Sequence, residues 1–143
     1  MNNHSHNRPL PSITLESAPY WDGLRQGKLL LQRCSSCGKF RHYPRLVCDT
    51  CHSMKVDWVE STGQGEIYSW TIAHQAFHES FKADIPYVLA IAILREGVRV
   101  QARLNGVAHA DIRVGLPVVA KFEKITDDLT LLALVPSVLE ART

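Results

Sequence analysis

Four cysteines, and no others, stand in two pairs along this 143-residue chain: Cys34 and Cys37, then Cys48 and Cys51. Each Cys-x-x-Cys pair places two sulfur donors on one tight turn, and the intervening residues suffice for a hairpin that brings the turns face to face. A tetrahedral Zn²⁺ takes four such donors at about 2.3 Å. Because cysteine fills all four positions, no coordination site stays open for water or substrate, and we predict a structural zinc ion.

Other uses of the cysteines fit the sequence less well. A redox Cys-x-x-Cys usually stands as one pair beside a βαβ pattern, which this chain lacks. Two disulfides suit a secreted protein, but residues 1–11 are polar, without the apolar core of a signal peptide. Iron of the rubredoxin type takes the same four sulfurs, and spacing does not separate it from zinc. Thiols without a secretion signal fit a reducing cytoplasm, where we expect the protein to reside.

Composition is that of a globular protein, with 45% hydrophobic residues and no apolar run near the ~20 residues of a membrane span. The net charge of +2 is unevenly divided: residues 1–55 carry eight Lys/Arg and three acids, whereas residues 56–143 carry eight and eleven. The basic first half can meet a phosphate-bearing ligand or an acidic protein surface. Alternatively, these charges are only solvated, because a small metal-binding module has little core in which to bury them. The sequence leaves both interpretations, ligand binding and simple solvation, open.

The first part of the chain predicts a flexible leader over residues 1–14, then a helix and a rubredoxin-like zinc ribbon over residues 15–61. The helix is expected at 16–27, with Trp21 and Leu24 on one face and Gly27 as its C-terminal cap. Gly38 follows the first cysteine pair, where the turn favours a positive φ. The ribbon strands are expected at residues 28–33, 40–43 and 56–59.

From residue 62 to residue 143 the pattern is entirely β. Alternating or continuous apolar residues predict five strands, at 65–76, 87–94, 98–104, 117–125 and 129–135. Five strands, the first of them long, with a connector after the third, suggest a small Greek-key barrel of the OB type. An SH3-like barrel is the alternative. The predicted fold class is therefore mainly β, with one short helix, a zinc ribbon and a five-stranded OB-fold barrel.

Seven stretches in chain order resemble the zinc-ribbon/OB-fold proteins of the acyl-CoA-associated family, first catalogued as a domain of unknown function. They are YWDGL (20–24), GKL (27–29), QRCSSCGK (32–39), YPRLVC (43–48, followed by Cys51), GQGEIYSWT (63–71), PYV (86–88) and VGLPV (114–118). The resemblance covers nearly the whole chain after the leader. One departure is Asp49, directly after Cys48, where proline is common in the family.

The resemblance implies a noncatalytic accessory subunit that sits against a thiolase-like or acyl-CoA hydratase-like enzyme and helps to bind or channel acyl-CoA. Coenzyme A carries phosphates and an adenine, so a binder needs cations and a flat apolar surface. Lys39, Arg41, Tyr43 and Arg45 lie on the hairpin between the cysteine pairs, and we expect them to contact acyl-CoA. Arg45 is the first phosphate candidate, because guanidinium binds phosphate bidentately. The same side chains can instead face the partner protein or only solvate the ribbon.

Nucleic-acid binding and independent catalysis fit the sequence less well than the accessory role. Nucleic-acid binding also uses zinc ribbons and OB folds, but a single-strand binder needs a basic barrel with exposed aromatic residues, and here the barrel half is net negative. Independent catalysis is not indicated, because a bound metal would use all four cysteines and leave none as a nucleophile. The spacing of histidines and acidic residues also does not predict a general base with an orienting partner. We therefore expect no catalytic residues, no membrane association and little affinity for nucleic acid.

Overall fold

The computed structural model describes residues 8–137, so the first seven residues of the predicted leader lie outside the described part. The described chain is mainly β, as predicted. Its elements are α1 (Ala18–Arg25), β1 (Leu30–Cys34), β2 (Phe40–Arg41), β3 (Val56–Glu60), β4 (Gln64–Ala73), β5 (Tyr87–Leu94), β6 (Arg99–Leu104), β7 (Pro117–Lys124) and β8 (Thr130–Pro136). Two short 3₁₀ turns, Glu79–Phe81 and His109–Asp111, interrupt the connectors.

Helix α1 is shorter than the predicted helix and ends as the sequence indicates. Gly27 has a φ of +75°, and its N–H bonds to the carbonyl of Leu24, while the N–H of Lys28 bonds to the carbonyl of Gly23. This pair of bonds is the Schellman motif, which satisfies carbonyls that the helix itself leaves open. The buried face carries Tyr20 and Leu24, whereas Trp21 remains half-exposed beside it.

The ribbon is a three-stranded sheet in the order β2-β1-β3. The central strand β1 pairs with β3 over five residues but with β2 over only two. Leu29 and Leu31 are the fully buried aliphatic side chains at this strand. Apolar packing inside so small a sheet is slight, and a bound metal would supply the missing cross-links.

The second part closes into a five-stranded barrel in the order β4-β5-β6-β8-β7, with β4 also paired to β7. All of the pairings are antiparallel except that of β6 with β8, which is parallel. This order is the OB fold, so the alternative SH3-like barrel is not adopted. The inward residues of β6 are those predicted from alternation: Val100, Ala102 and Leu104 are buried.

The barrel, α1 and β1 share one hydrophobic core. Tyr20, Leu24 and Leu31 belong to the same cluster of buried residues as the barrel interior, and α1 contacts both β7 and β8. The helix thus fixes the ribbon against the outside of the barrel. The predicted division at residues 61 and 62 remains a prediction. No helix in residues 8–137 is both long and apolar enough to cross a membrane.

Gly65 is the position where the barrel leaves least room for a side chain. A Cβ atom there would lie 2.4 Å from the carbonyl oxygen of Ile93 on the paired strand β5. We expect Gly65→Ala to lower the free energy of unfolding by about 1–3 kcal/mol, because backbone must shift to relieve the clash. Urea unfolding of the folded chain measures this, with Glu66→Ala as the neighbouring exposed control. Equal unfolding midpoints for the two variants would contradict the described packing.

Candidate metal centre and binding cleft

Two turns of the same geometry present the four cysteines. In the first turn, the N–H of Gly38 bonds to the carbonyl of Cys34 at 2.8 Å, and Gly38 has a φ of +80°, as predicted. In the second, the N–H of His52 bonds to the carbonyl of Cys48 at 3.0 Å, and His52 has a φ of +63°. The backbone N–H of Cys34 and that of Cys48 each bond to the carbonyl five residues ahead. The second turn therefore repeats the first, with histidine in the left-handed position usually given to glycine.

The sulfur atoms converge on one point. Cys34 Sγ lies 3.5 Å from Cys51 Sγ, Cys37 Sγ lies 3.7 Å from Cys48 Sγ, and all four atoms lie within 4.8 Å of one another. A regular tetrahedron with Zn–S bonds of about 2.3 Å has S···S edges of about 3.8 Å. These separations far exceed the ~2.05 Å of a disulfide. The four residues therefore fit a closed tetrathiolate zinc site.

Backbone N–H groups lower the pKa of two of the four thiols. The N–H groups of Cys51 and Thr50 lower the pKa of the Cys48 thiol to about 6, and the N–H groups of Cys37 and Ser36 lower the pKa of Cys34. At Cys51 the N–H of Ser53 lowers the thiol pKa, but the neighbouring sulfurs and desolvation outweigh it and raise the pKa to about 11. Four adjacent sulfurs ionise together only when a cation offsets their repulsion, and a bound Zn²⁺ would supply that charge.

The residues expected to contact acyl-CoA do not form one cluster. Lys39 Nζ donates to Asp49 Oδ1 at 2.9 Å and to Thr50 Oγ1 at 3.0 Å, which ties the hairpin to the second cysteine turn. Tyr43 is exposed, and its hydroxyl accepts from Trp21 Nε1 at 2.9 Å. Arg45 is exposed and has its side chain in solvent.

Arg41 is placed inside the ribbon, only 9% exposed. Its Nε donates to Gln32 Oε1 at 2.7 Å, and its Nη2 donates to the carbonyl of Arg45 at 3.1 Å. The same Gln32 oxygen accepts from the backbone N–H of Arg45 at 2.8 Å. Arg41 is therefore a structural link across the hairpin, and the expectation that it faces a ligand from the ribbon surface does not fit its burial.

An aromatic cluster joins the hairpin to α1. Tyr20 packs against Trp21, His42 and Tyr43, with ring centroids 5.0, 5.2 and 5.5 Å away. Burial lowers the pKa of His42 to about 4 and raises that of Tyr20, so both rings are neutral at physiological pH. The cluster makes a rigid, uncharged wall.

That wall faces a cleft of about 790 Å³, whose lining residues are scattered along the sequence and form no motif. The cleft lies between the aromatic cluster, the segment 8–11 and the outward faces of β5, β6 and β8. Its volume falls within the range of about 300–1,000 Å³ typical of small-molecule sites. One signal was present in the sequence: β5 is apolar at nearly every position, which indicates that both of its faces are covered.

A group of charges and rings includes three residues that line the cleft, Arg8, Phe81 and Arg103. Asp84 accepts from both Arg8 at 2.8 Å and Arg103 at 3.2 Å. The Arg8 guanidinium also lies over the ring of Phe81, and that of Arg103 lies over Tyr87 at 4.3 Å from its centroid. These contacts fix segment 8–11 beside the barrel.

His78, in the connector after β4, has a structural contact. His78 Nδ1 lies 2.7 Å from Ser80 Oγ and accepts from the Ser80 N–H, so the ring caps a 3₁₀ turn. All four cysteines belong to the metal centre.

Two family models match adjacent parts of this chain. The model described as "ChsH2, rubredoxin-like zinc ribbon domain" matches residues 21–57, and the model described as "ChsH2, C-terminal OB-fold domain" matches residues 58–123. A curated relative from Thermomonospora curvata, "Probable enoyl-CoA hydratase alpha subunit", is 37% identical over 92% of this chain. The chain spans only 40% of that relative's length.

Two further similarities cover more of the other protein. A "DUF35 domain-containing scaffold protein" of Methanocaldococcus jannaschii is 30% identical over 67% of this chain and 68% of its own length. A solved structure named "Ltp2-ChsH2(DUF35) aldolase" includes a chain with 36% identity and a TM-score of 0.82, covering 90% of this chain and 100% of the other.

The metal centre predicts the behaviour of single cysteine variants. We expect the native chain to hold one Zn²⁺. We expect Cys37→Ser to lower the metal affinity more than about 100-fold, because it removes a direct ligand, and the loss of an outer-sphere partner alone lowers affinity about 10–100-fold. Atomic spectroscopy after competition with a chelator measures the loss. Ser35→Ala, between the same cysteines but without a ligand atom, is the control. Native zinc content in Cys37→Ser would contradict the tetrathiolate assignment.

Proposed function

Since this chain belongs to the DUF35 family, in which ChsH2-type members combine a zinc ribbon with an OB fold, we propose that it is an accessory subunit of an acyl-CoA-converting enzyme. In this proposal it docks on a thiolase-like or hydratase-like partner and helps to bind or channel acyl-CoA without performing the chemistry. Its thiols suit a reducing cytoplasm.

The main support for this proposal is the similarity of this chain to proteins that are named as parts of larger assemblies. The aligned region of the Thermomonospora curvata relative is part of a protein named as a hydratase subunit, and the structural match with a TM-score of 0.82 comes from a structure whose name pairs Ltp2 with ChsH2. The scaffold name of the Methanocaldococcus jannaschii relative supports the noncatalytic part.

The ribbon hairpin offers a surface for such a partner. Leu46 and Val47, between the two cysteine turns, are exposed aliphatic residues, and Tyr43 lies on the same hairpin. Exposed apolar residues held on a rigid turn suit a protein interface, because docking them costs little conformational entropy. Arg45 lies between Tyr43 and Leu46, where it can pair with a phosphate of acyl-CoA at the edge of that interface.

Isolation of the chain from its own cells tests the accessory role. We expect a thiolase-like or hydratase-like protein to remain bound in stoichiometric amount, as identified by mass spectrometry. Leu46→Asp is expected to lose the partner because it places a charge in the proposed apolar contact, while retaining zinc; Met54→Asp, also exposed on the ribbon, is the control. Stoichiometric recovery of nucleic acid, or of the zinc-loaded chain alone, would contradict the proposal.

Arg45→Ala tests the phosphate contact in the isolated complex. Because the backbone of Arg45, rather than its side chain, makes the bonds to Gln32 and Arg41, truncation should leave the ribbon and its zinc intact. We expect acyl-CoA affinity to fall about tenfold, the range of one charge-assisted hydrogen bond. Calorimetry measures it, with Lys55→Ala as a control on another exposed ribbon cation. Unchanged affinity would show that Arg45 does not contact phosphate.

A further inference from the structure

The cleft described above is mainly apolar. Of the twenty-one residues that line it, fifteen are aliphatic, aromatic or proline. On β5 the outward residues Leu89 and Ile91 lie in the cleft, and Leu131 of β8 lines it from the other side of β6. These outward side chains are half-buried and face the cleft space. An apolar ligand that entered it would remove their remaining surface from water.

The polar residues of the cleft favour an anion. Arg8, Arg99 and Arg103 are its cations, and Glu123 is its one lining carboxylate within residues 8–137. Arg8 and Arg103 already share Asp84. Glu123 accepts a hydrogen bond from Asn105.

Arg99 differs from the other two cations. Its guanidinium lies 4.2 Å from the centroid of the Tyr68 ring, which holds it in a defined orientation. No carboxylate in the described part of the chain pairs with it. A guanidinium that is oriented by stacking and has free N–H donors is suited to a carboxylate or phosphate.

We propose that this cleft binds the hydrocarbon chain of an acyl ligand, with an acyl oxygen paired to Arg99 and the chain lying between β5, β8 and the aromatic cluster. The shared chemistry is a long hydrocarbon chain that ends in an acyl group, either a free carboxylate or the thioester of coenzyme A, whose phosphates lie beyond the pantetheine arm and outside the cleft. The proposal that the biological ligand is a coenzyme A thioester rests on the proposed function. The proposal that a hydrocarbon chain occupies the cleft is independent of that function.

The aromatic cluster supplies both a reason for the specificity and a reporter. The rings of Tyr20 and Trp21 are flat and uncharged, and they contact each other at a centroid distance of 5.0 Å. Such rings pack well against the methylene groups of a hydrocarbon chain. Trp21 lines the cleft, while Trp58 and Trp70 do not. A chain that enters the cleft should therefore change the fluorescence of Trp21.

The test titrates the zinc-loaded 143-residue chain with dodecanoate, dodecanol, dodecanoyl-CoA and coenzyme A, followed by tryptophan fluorescence and calorimetry. We expect dodecanoate and dodecanoyl-CoA to bind one site and to compete. We expect dodecanol to bind about tenfold more weakly, since it lacks the acyl oxygen that Arg99 pairs with. Coenzyme A without an acyl chain should not displace dodecanoate. Displacement by coenzyme A, or absence of saturable dodecanoate binding, would overturn the proposal.

Two pairs of variants locate the ligand. Leu10 lines the cleft and is 59% exposed, whereas Ile13, three residues on, is 52% exposed and does not line it. Leu10→Asp should weaken dodecanoate binding about tenfold and Ile13→Asp should not, and neither substitution disturbs the core. Arg99→Gln should remove the preference for dodecanoate over dodecanol, while Arg113→Gln, exposed and outside the cleft, should keep it. Equal effects within either pair would overturn the assignment.

The outcomes also separate this inference from the accessory role. A chain that retains its enzyme partner but does not bind dodecanoate refutes the cleft assignment alone. A chain that binds dodecanoate in the cleft but recovers no enzyme partner refutes the accessory role alone.

Discussion

The four cysteine sulfurs converge at the end of the ribbon, and the cation that they fit would hold together the half of the molecule that carries the proposed partner surface. The ribbon sheet has one strand of only two residues, and few of its side chains are fully buried. The tetrathiolate connects the two turns at the far end of β1, and the hairpin between them carries His42, Tyr43 and Arg45. A bound metal would thus position the hairpin residues of the aromatic wall and the exposed apolar pair Leu46 and Val47.

Most of the fold was predictable because its signals are local. Cysteine spacing gave the ribbon, Gly27 marked the end of α1, and alternating apolar residues placed the five barrel strands within a few residues of their observed bounds. The periodicity of apolar residues does not distinguish the OB fold from an SH3-like barrel. The parallel pair β6–β8 decides it, and that pairing joins segments far apart in the sequence.

The site was less predictable because its residues meet across the fold. The sequence around Arg41 is typical of a surface cation. In the fold, Gln32 on the adjacent strand provides a buried acceptor for it, and this contact follows from the register of β1 with β2. The cleft combines α1, the hairpin, segment 8–11 and the barrel, so no single motif marks it. The apparent basic surface of the ribbon is also reduced, because Lys39 pairs with Asp49 and Arg41 is buried.

Hydrogen–deuterium exchange of the zinc-loaded and the metal-free chain tests most directly whether the metal positions the ribbon and the cleft wall. We predict that metal removal abolishes amide protection in β1–β3 and around Tyr43, while β4–β8, which are hydrogen-bonded into a closed barrel, keep most of theirs. Retained protection of the ribbon without metal, or simultaneous loss across ribbon and barrel, would contradict that account.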